Sequence, residues 1–462
     1  MKSIALVILT VAFISLVGCG GGGGSAPVVN PQPQTGAAQV SVSLHDMPPA
    51  GVTVLSFQAT ITGIAMQPGS ISLLNSPMTL EMTQLQTMSA YIGTISVPAG
   101  NYTGMTITLA NPHMTFLNNT GGMMGGMMGG GNCANGQICQ LNPTMTATSV
   151  TINGVPFPIT VMANSPLDMM MDFDLMDSLQ SNMGMSPMMT SGIQQGIGGA
   201  NMFDEMDDMI GQIASVNAGG NQFTMSFVQG MPSMTIGVDS NTTFQNFSNN
   251  SMAGLAQGQL VLVEIQLMAG GTLHAAKVRF ESDVAHLMDG MIVAVNNQTQ
   301  FDMVVMNEAP SFQGVNVGDV IRMNMQAGTT FDVDDMDMPV SGMNFAAAAM
   351  MIGQMVQIEP TSTLVSGTPP QLSTNHVRLM KAFVTATVAS KIDATTFTLS
   401  NLPGIFGAVG ISNMKINTFA GTAFENVSNM GVLNVGDTVS VRGPTFMSSG
   451  EPTMIASKVV KR

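Results

Sequence analysis

Beyond residue 40 almost nothing in this chain recurs with the period of a helix. Short runs rich in Val, Ile, Thr and Phe alternate with polar residues and are cut by Gly, Asn and Pro. "VSVSL" (40–44), "LSFQATITGIAM" (55–66), "GTISV" (93–97), "GMTITLA" (104–110), "SVTIN" (149–153) and "FPITVMA" (157–163) are of this kind. A period of two with frequent breaks marks strands that bury one face. The fold class is therefore all-β. "DMMMDFDLMDSL" (168–179) closes a first unit.

The C-terminal half repeats itself. "IGQIASVNAGGNQFTM" (210–225), "DGMIVAVNNQTQFDMV" (289–304) and "FVTATVASKIDATTFTL" (383–399) each read as strand, turn, strand. Each is followed by a "TTF" or "TAF" segment: "SNTTFQNF" (240–247), "AGTTFDVD" (327–334) and "AGTAFENV" (420–427). Then come "AQGQLVLVEI" (256–265), "MIGQMVQIEP" (351–360) and "NVGDTVSVRG" (434–443), and a closing strand at 273–280, 374–380 and 454–460. Four landmarks in the same order, three times, define tandem units. The middle one carries extra sequence around "FDVDDMDMPVSGMNFAAAAMM", where four consecutive Ala favour a short helix at 345–352. The predicted organisation is a β-sandwich at 39–179, a linker at 180–208 rich in Gly, Ser and Asn, and three units at 209–282, 283–381 and 382–462.

Two resemblances sharpen this. "VSVSLHDMPPAGVTVLSFQATITGIAM", "VPAGNYTGMTITLA" and the closing "LDMMMDFDLMDS" resemble a bacterial lipoprotein domain of unknown function, number 4382. The resemblance rests on the His45-Asp46-Met47-Pro48 turn, the Pro98-Ala99-Gly100-Asn101-Tyr102 turn and Asp172-Phe173-Asp174, and it implies a β-sandwich without an established activity. The three units resemble domain of unknown function 5666 and imply small closed barrels of five or six strands, similar to the oligonucleotide/oligosaccharide-binding barrel.

The N-terminus sets the compartment. Lys2 precedes the apolar run "IALVILTVAFISLV" (4–17), too short for a comfortable span and shaped like a secretory signal. It ends in Leu16-Val17-Gly18-Cys19, which resembles a bacterial lipobox. The resemblance implies removal of a signal peptide at 1–18 and lipidation of Cys19, making the membrane a partner. Each buried acyl CH2 contributes roughly 0.8 kcal/mol, so several chains anchor without a transmembrane helix. Residues 19–38, Gly-rich and then Pro-rich, read as a flexible tether. Gly20 rather than Asp after the Cys points to the outer membrane, on the periplasmic face or at the cell surface.

Charge narrows the partners. Net charge is −15 with only 12 Lys and Arg, so nucleic acid, which needs a basic face, is excluded as a partner. Cys133 and Cys139 remain after Cys19. Outside the cytoplasm a pair this close reads as a disulfide, with a Cys/Met copper site and free thiols as the alternatives.

The 47 Met pose the sharpest question. Copper(I) prefers thioethers and thiolates. Yet "QFTM" (222–225) aligns with "TFTL" (396–399), so in strands Met serves as a flexible core filler. The "GGMMGGMMGG" loop (121–130) has no strand pattern. Its Met123, Met124, Met127 and Met128 read as a mobile or surface loop, with soft-metal binding or oxidant scavenging as alternatives. The five His form no close ligand pair, and the acidic runs read as solvated loops, with calcium at 332–337 the alternative. No nucleophile elbow, phosphate loop or zinc signature appears. The sequence thus predicts no enzyme and no required cofactor, copper aside. It predicts a lipid-anchored envelope module that binds an envelope glycan or protein, or plays a structural part.

Overall fold

The computed structural model describes residues 36–47, 53–121, 123, 132–180, 184–195, 206–227, 230–268, 271–281, 284–336, 338–340 and 343–462. The signal segment, Cys19, the tether up to residue 35, Met124, Met127 and Met128 lie outside the described residues.

The first unit is two sheets face to face. One has the order Met189–Gln195, Leu167–Asp174, Ala37–Met47, Ala90–Pro98. The other is built on Thr53–Gln67 against Gly104–Leu117, flanked by Ile71–Ser72, Met78–Glu81, Ile138–Leu141 and Ser149–Ile152. Alternation does the sorting. Along Leu167–Asp174 the residues Leu167, Met169, Met171 and Phe173 face inward, while Asp168, Met170, Asp172 and Asp174 do not. Phe173 meets Phe57 of the opposite sheet with ring centroids 6.0 Å apart and nearly parallel planes, fixing the two sheets in one core.

Three barrels follow, with one pairing plan. In the first, Met206–Asn217 pairs antiparallel with Gln222–Ser226 and with Leu260–Met268. Thr272–Phe280 closes it, antiparallel to Leu260–Met268 and parallel to both Met234–Gly237 and Thr243–Gln245. The third repeats this with Ala382–Lys391, Thr396–Ser400, Met414–Asn417, Ala423–Glu425 and Thr438–Gly443, its closing strand split into Glu451–Ile455 and Lys458–Lys461. The middle barrel uses Leu287–Asn297, Gln300–Ala309, Val320–Val333, Met355–Pro360 and Gln371–Met380. Here the single strand Val320–Val333 does the work of two. It runs parallel to Gln371–Met380 before and after a register shift between Met325 and Thr330.

Two expectations are corrected. Residues 180–208 are not simply a linker: Met189–Gln195 is the edge strand of the first sheet, with buried Met189 opposite Phe173. An edge strand with one anchored apolar side chain tolerates the polar composition that suggested a linker. The helix expected at 345–352 is a single 3-10 turn, Ala347–Ala349. Buried Phe345 and Met350 pin both of its ends to the barrel core, and so short a run cannot nucleate a helix against that.

Methionine fills these cores. Met225 of the first barrel and Leu399 of the third occupy matching strand positions, and both are fully buried. Met303 and Met323 are equally buried in the middle barrel. Cys133 and Cys139 are joined as a disulfide with Cα atoms 6.1 Å apart, and Cys133 lies within the sandwich core. The ring spans a sequence separation of only 6. Its closure contributes about 2 kcal/mol. Reduction of the folded protein is expected to lower the melting temperature by only a few degrees. A drop of tens of degrees in calorimetry would show that the bridge holds more than its own loop.

Candidate functional site

The barrels meet at a buried cluster of charges. Asp208 sits at a register shift in the first strand of the first barrel, with a left-handed backbone (φ 55°) that re-aims its side chain. Its two carboxylate oxygens reach Lys381 Nζ at 3.3 Å and Arg442 Nη2 at 2.9 Å. Lys381 follows the last strand of the middle barrel and Arg442 belongs to the third, so one carboxylate joins three units. Beside it, Arg279 of the first barrel donates to Glu281 at 2.8 Å and to Asp334 of the middle barrel at 2.6 Å. Glu281 accepts in turn from Arg378 at 2.7 Å, and Arg378 and His376 share Asp332. The 332–337 run, a calcium candidate in the sequence, has Asp332 and Asp334 facing protein cations instead. Asp335 is exposed, and Asp337 lies outside the described residues.

A second cluster combines a nucleophile and a base. Ser89 Oγ lies 2.7 Å from His45 Nε2, and both residues are buried. Hydroxyl and imidazole at that distance are the first two parts of an acyl-transfer site. Ser89, however, borders a cavity of only about 80 Å³. Substrate sites run to roughly 300–1,000 Å³. Neighbouring Asp46 is fully buried; burial, and then the Asp172 and Glu81 carboxylates, push its carboxyl well above the ordinary range. The contact ties the end of Ala37–Met47 to the segment after the Thr83–Gln86 turn.

The roomy concavity lies between the sandwich and the first barrel and measures about 650 Å³. One wall is Ala90–Pro98, which among the described residues is an edge strand pairing on one side only, with Ala37–Met47. The other wall is the hairpin of Gln222–Ser226 and Met234–Gly237 together with the start of Thr272–Phe280. Tyr91 donates to Thr94 Oγ1 at 2.9 Å, and Thr94 Oγ1 donates to Gly271 O at 3.0 Å, clamping barrel to sandwich at the cleft's edge. The imidazole of His274 lies against Gly237, where a Cβ would come within 3.0 Å of Nε2. His274 Nδ1 is buried and has no hydrogen-bond partner among the described residues. None of the lining residues is Asp, Glu, Lys or Arg; hydroxyls, amides and glycines share the surface with Tyr91 and with apolar side chains such as Ile92, Val238 and Leu273.

Of the residues singled out in the sequence, Met123 is described and exposed at 69%. Met124, Met127, Met128 and Cys19 lie outside the described residues. The cleft is not visible in the sequence, because its walls come from stretches far apart in the chain, and Asp208 stands in one of the acidic runs that read as solvated loops.

The architecture defines a class: an all-β protein in which a sandwich precedes small closed barrels. Family models place it further. Residues 37–187 match the domain of unknown function DUF4382, and residues 210–279 and 385–459 match the domain of unknown function DUF5666. The chain thus carries a stretch similar to each family, one after the other. The middle barrel falls between the two matched DUF5666 stretches and shares their pairing plan. Among curated proteins none matches the chain.

Two predictions follow from the charges. Asp208→Ala removes the carboxylate between two buried cations and is expected to destabilise by about 3–5 kcal/mol, read by urea unfolding. A loss under 1 kcal/mol would mean that the junction does not hold the barrels. The second concerns pH. Burial pushes Glu81, Asp289 and Glu308 each up to about 7. Between the unfolded carboxyl range and about 7 the folded state binds the extra proton, so stability falls as pH rises through that window. His376 is raised to about 9 by its hydrogen bonds to Asp332 and Glu359; its contribution is full below its unfolded value and is lost as pH rises through about 9. Burial alone would raise Asp208 and Asp332, but the cations around Asp208 and the hydrogen bonds from His376 and Arg378 to Asp332 hold both at about 2. Their contribution is lost only as pH falls through about 2. Thermal stability is therefore expected to peak near pH 4–5, roughly where the unfolded carboxyls titrate. Asp289→Asn should flatten the limb between pH 5 and 7. A maximum above pH 7 would contradict these assignments.

Proposed function

We propose that the protein is a lipid-anchored envelope protein, held at the outer membrane through Cys19, and that it works as a non-enzymatic binding module. Its ligand is an uncharged, hydroxyl-rich chain such as an envelope glycan, bound in the cleft between the sandwich and the first barrel. The observation that carries this reading is the cleft's chemistry: a volume in the ligand range, amide and hydroxyl groups on both walls, and no charged lining residue. Tyr91 supplies the amphipathic ring of one wall and His274 an imidazole on the other. The Leu16-Val17-Gly18-Cys19 pattern supports the anchor.

A soft-metal or oxidant-buffering role for the Gly/Met loop is the second reading, favoured by the solvent exposure of Met123. Copper(I) titration before and after Met123, Met124, Met127 and Met128 are changed to Leu separates it from the first.

Two measurements test the leading reading. Labelled palmitate should enter the wild type but not Cys19→Ala, which should leave the membrane fraction. The full-length protein in detergent should bind neutral envelope glycans on an array, and Tyr91→Ala with His274→Ala should weaken that binding about tenfold or more. Glycan binding unchanged by both substitutions, or hydrolase activity abolished by Ser89→Ala, would overturn it.

A further inference from the structure

The small cavity beside Ser89 has an unusual wall. It lies where the sandwich meets the first and middle barrels, and six of its seventeen lining residues are methionine, against 47 of 462 in the whole chain. The six come from separate elements. Met88 follows the Thr83–Gln86 turn, Met206 and Met209 open the first barrel, Met231 and Met234 belong to its hairpin region, and Met306 lies on Gln300–Ala309 of the middle barrel. Arg442 Nη1 already contacts the Met88 sulfur, which leaves five.

Core filling accounts for methionine where side chains close the space, as in the barrel interiors. Here methionines from separate elements border space that no side chain fills. At about 80 Å³ the cavity is well under the roughly 150 Å³ that admits benzene, so an organic ligand fits poorly. Glu81 lines the same cavity. Its carboxylate accepts from Phe57 N at 3.0 Å, Thr83 Oγ1 at 2.8 Å and Gln84 N at 3.1 Å, yet among the described residues no Lys, Arg or His pairs with it. A carboxyl held by hydrogen bonds but without an ionic partner, beside neutral soft donors, suits a cation that carries one charge, prefers sulfur and displaces the carboxyl proton on binding.

We propose that this cavity binds a monovalent soft metal ion, copper(I), through thioethers drawn from Met206, Met209, Met231, Met234 and Met306, with Glu81 as the counter-charge. The site is distinct from the Gly/Met loop and from the glycan cleft, although Tyr91 and Met234 border both cleft and cavity. A bound ion would join the sandwich to two barrels at one point.

The test is an anaerobic copper(I) titration of the full-length protein in detergent against a chromogenic copper(I) chelator. One equivalent should resist the chelator. It should persist when Met123, Met124, Met127 and Met128 are changed to Leu, and weaken by about a hundredfold when Met209, Met231 and Met306 are changed to Leu, a near-isosteric replacement. Because the triple variant changes a packed junction, the wild type is also followed by methionine-methyl NMR with silver(I) as the redox-inert probe. Slow-exchange shifts confined to a few methyl signals, assigned by single Leu substitutions to the cavity, are the expected result. Binding no tighter than micromolar, shifts confined to loop methionines, or equal affinity in the cavity variant would overturn the proposal.

Discussion

The ion cluster around Asp208 and Arg279 is what makes three barrels a single object. Each barrel closes its own hydrogen-bond ladder, and the first and middle barrels bury cores of their own, while the core of the third runs on into a cluster shared with its neighbours. Contact arises because charges that would be costly in isolation become acceptable only against a neighbour. Arg279 is buried between a carboxylate of its own barrel and one of the next, and Asp208 is buried between cations of the other two. A chain with only 12 Lys and Arg places five of them, Lys277, Arg279, Arg378, Lys381 and Arg442, in this region. Apolar contact spreads from there. Leu55 and Leu117 of the sandwich share a core cluster with Ile210 of the first barrel, Met306 of the middle barrel and Phe397 of the third.

The fold was legible because period-two patterning and a threefold repeat leave few choices. The inward set along Leu167–Asp174 follows from alternation alone, and the repeat alignment that pairs Met225 with Leu399 holds in space. What composition obscured was Met189–Gln195, since a polar edge strand and a linker look alike when only residue types are counted. The Ala run misled for the converse reason: intrinsic propensity is weak beside two buried anchors, Phe345 and Met350.

The candidate sites were much less legible. A cleft walled by Ala90–Pro98 and Thr272–Phe280 joins residues about 180 apart in sequence, and no spacing rule spans that distance. Methionine stands out in the composition, and the sequence points to the dense loop, where four lie close together. The cavity set is scattered from Met88 to Met306 and converges only through tertiary packing. Asp208 was visible as an acid, and nothing local distinguished its buried, cation-facing position from that of its neighbours.

The pairing of Ala37–Met47 has a mechanical side. This strand is interior to its sheet, in register with Leu167–Asp174 on one flank from Val40 to Met47 and with Ala90–Pro98 on the other from Ala37 to Leu44. A pull on the chain just before Ala37 acts along the strand's own length. Both ladders are then loaded in shear, with many hydrogen bonds sharing the force, rather than being unzipped one at a time. Any tension arriving through the N-terminal segment therefore meets the domain at a strand held along both of its edges.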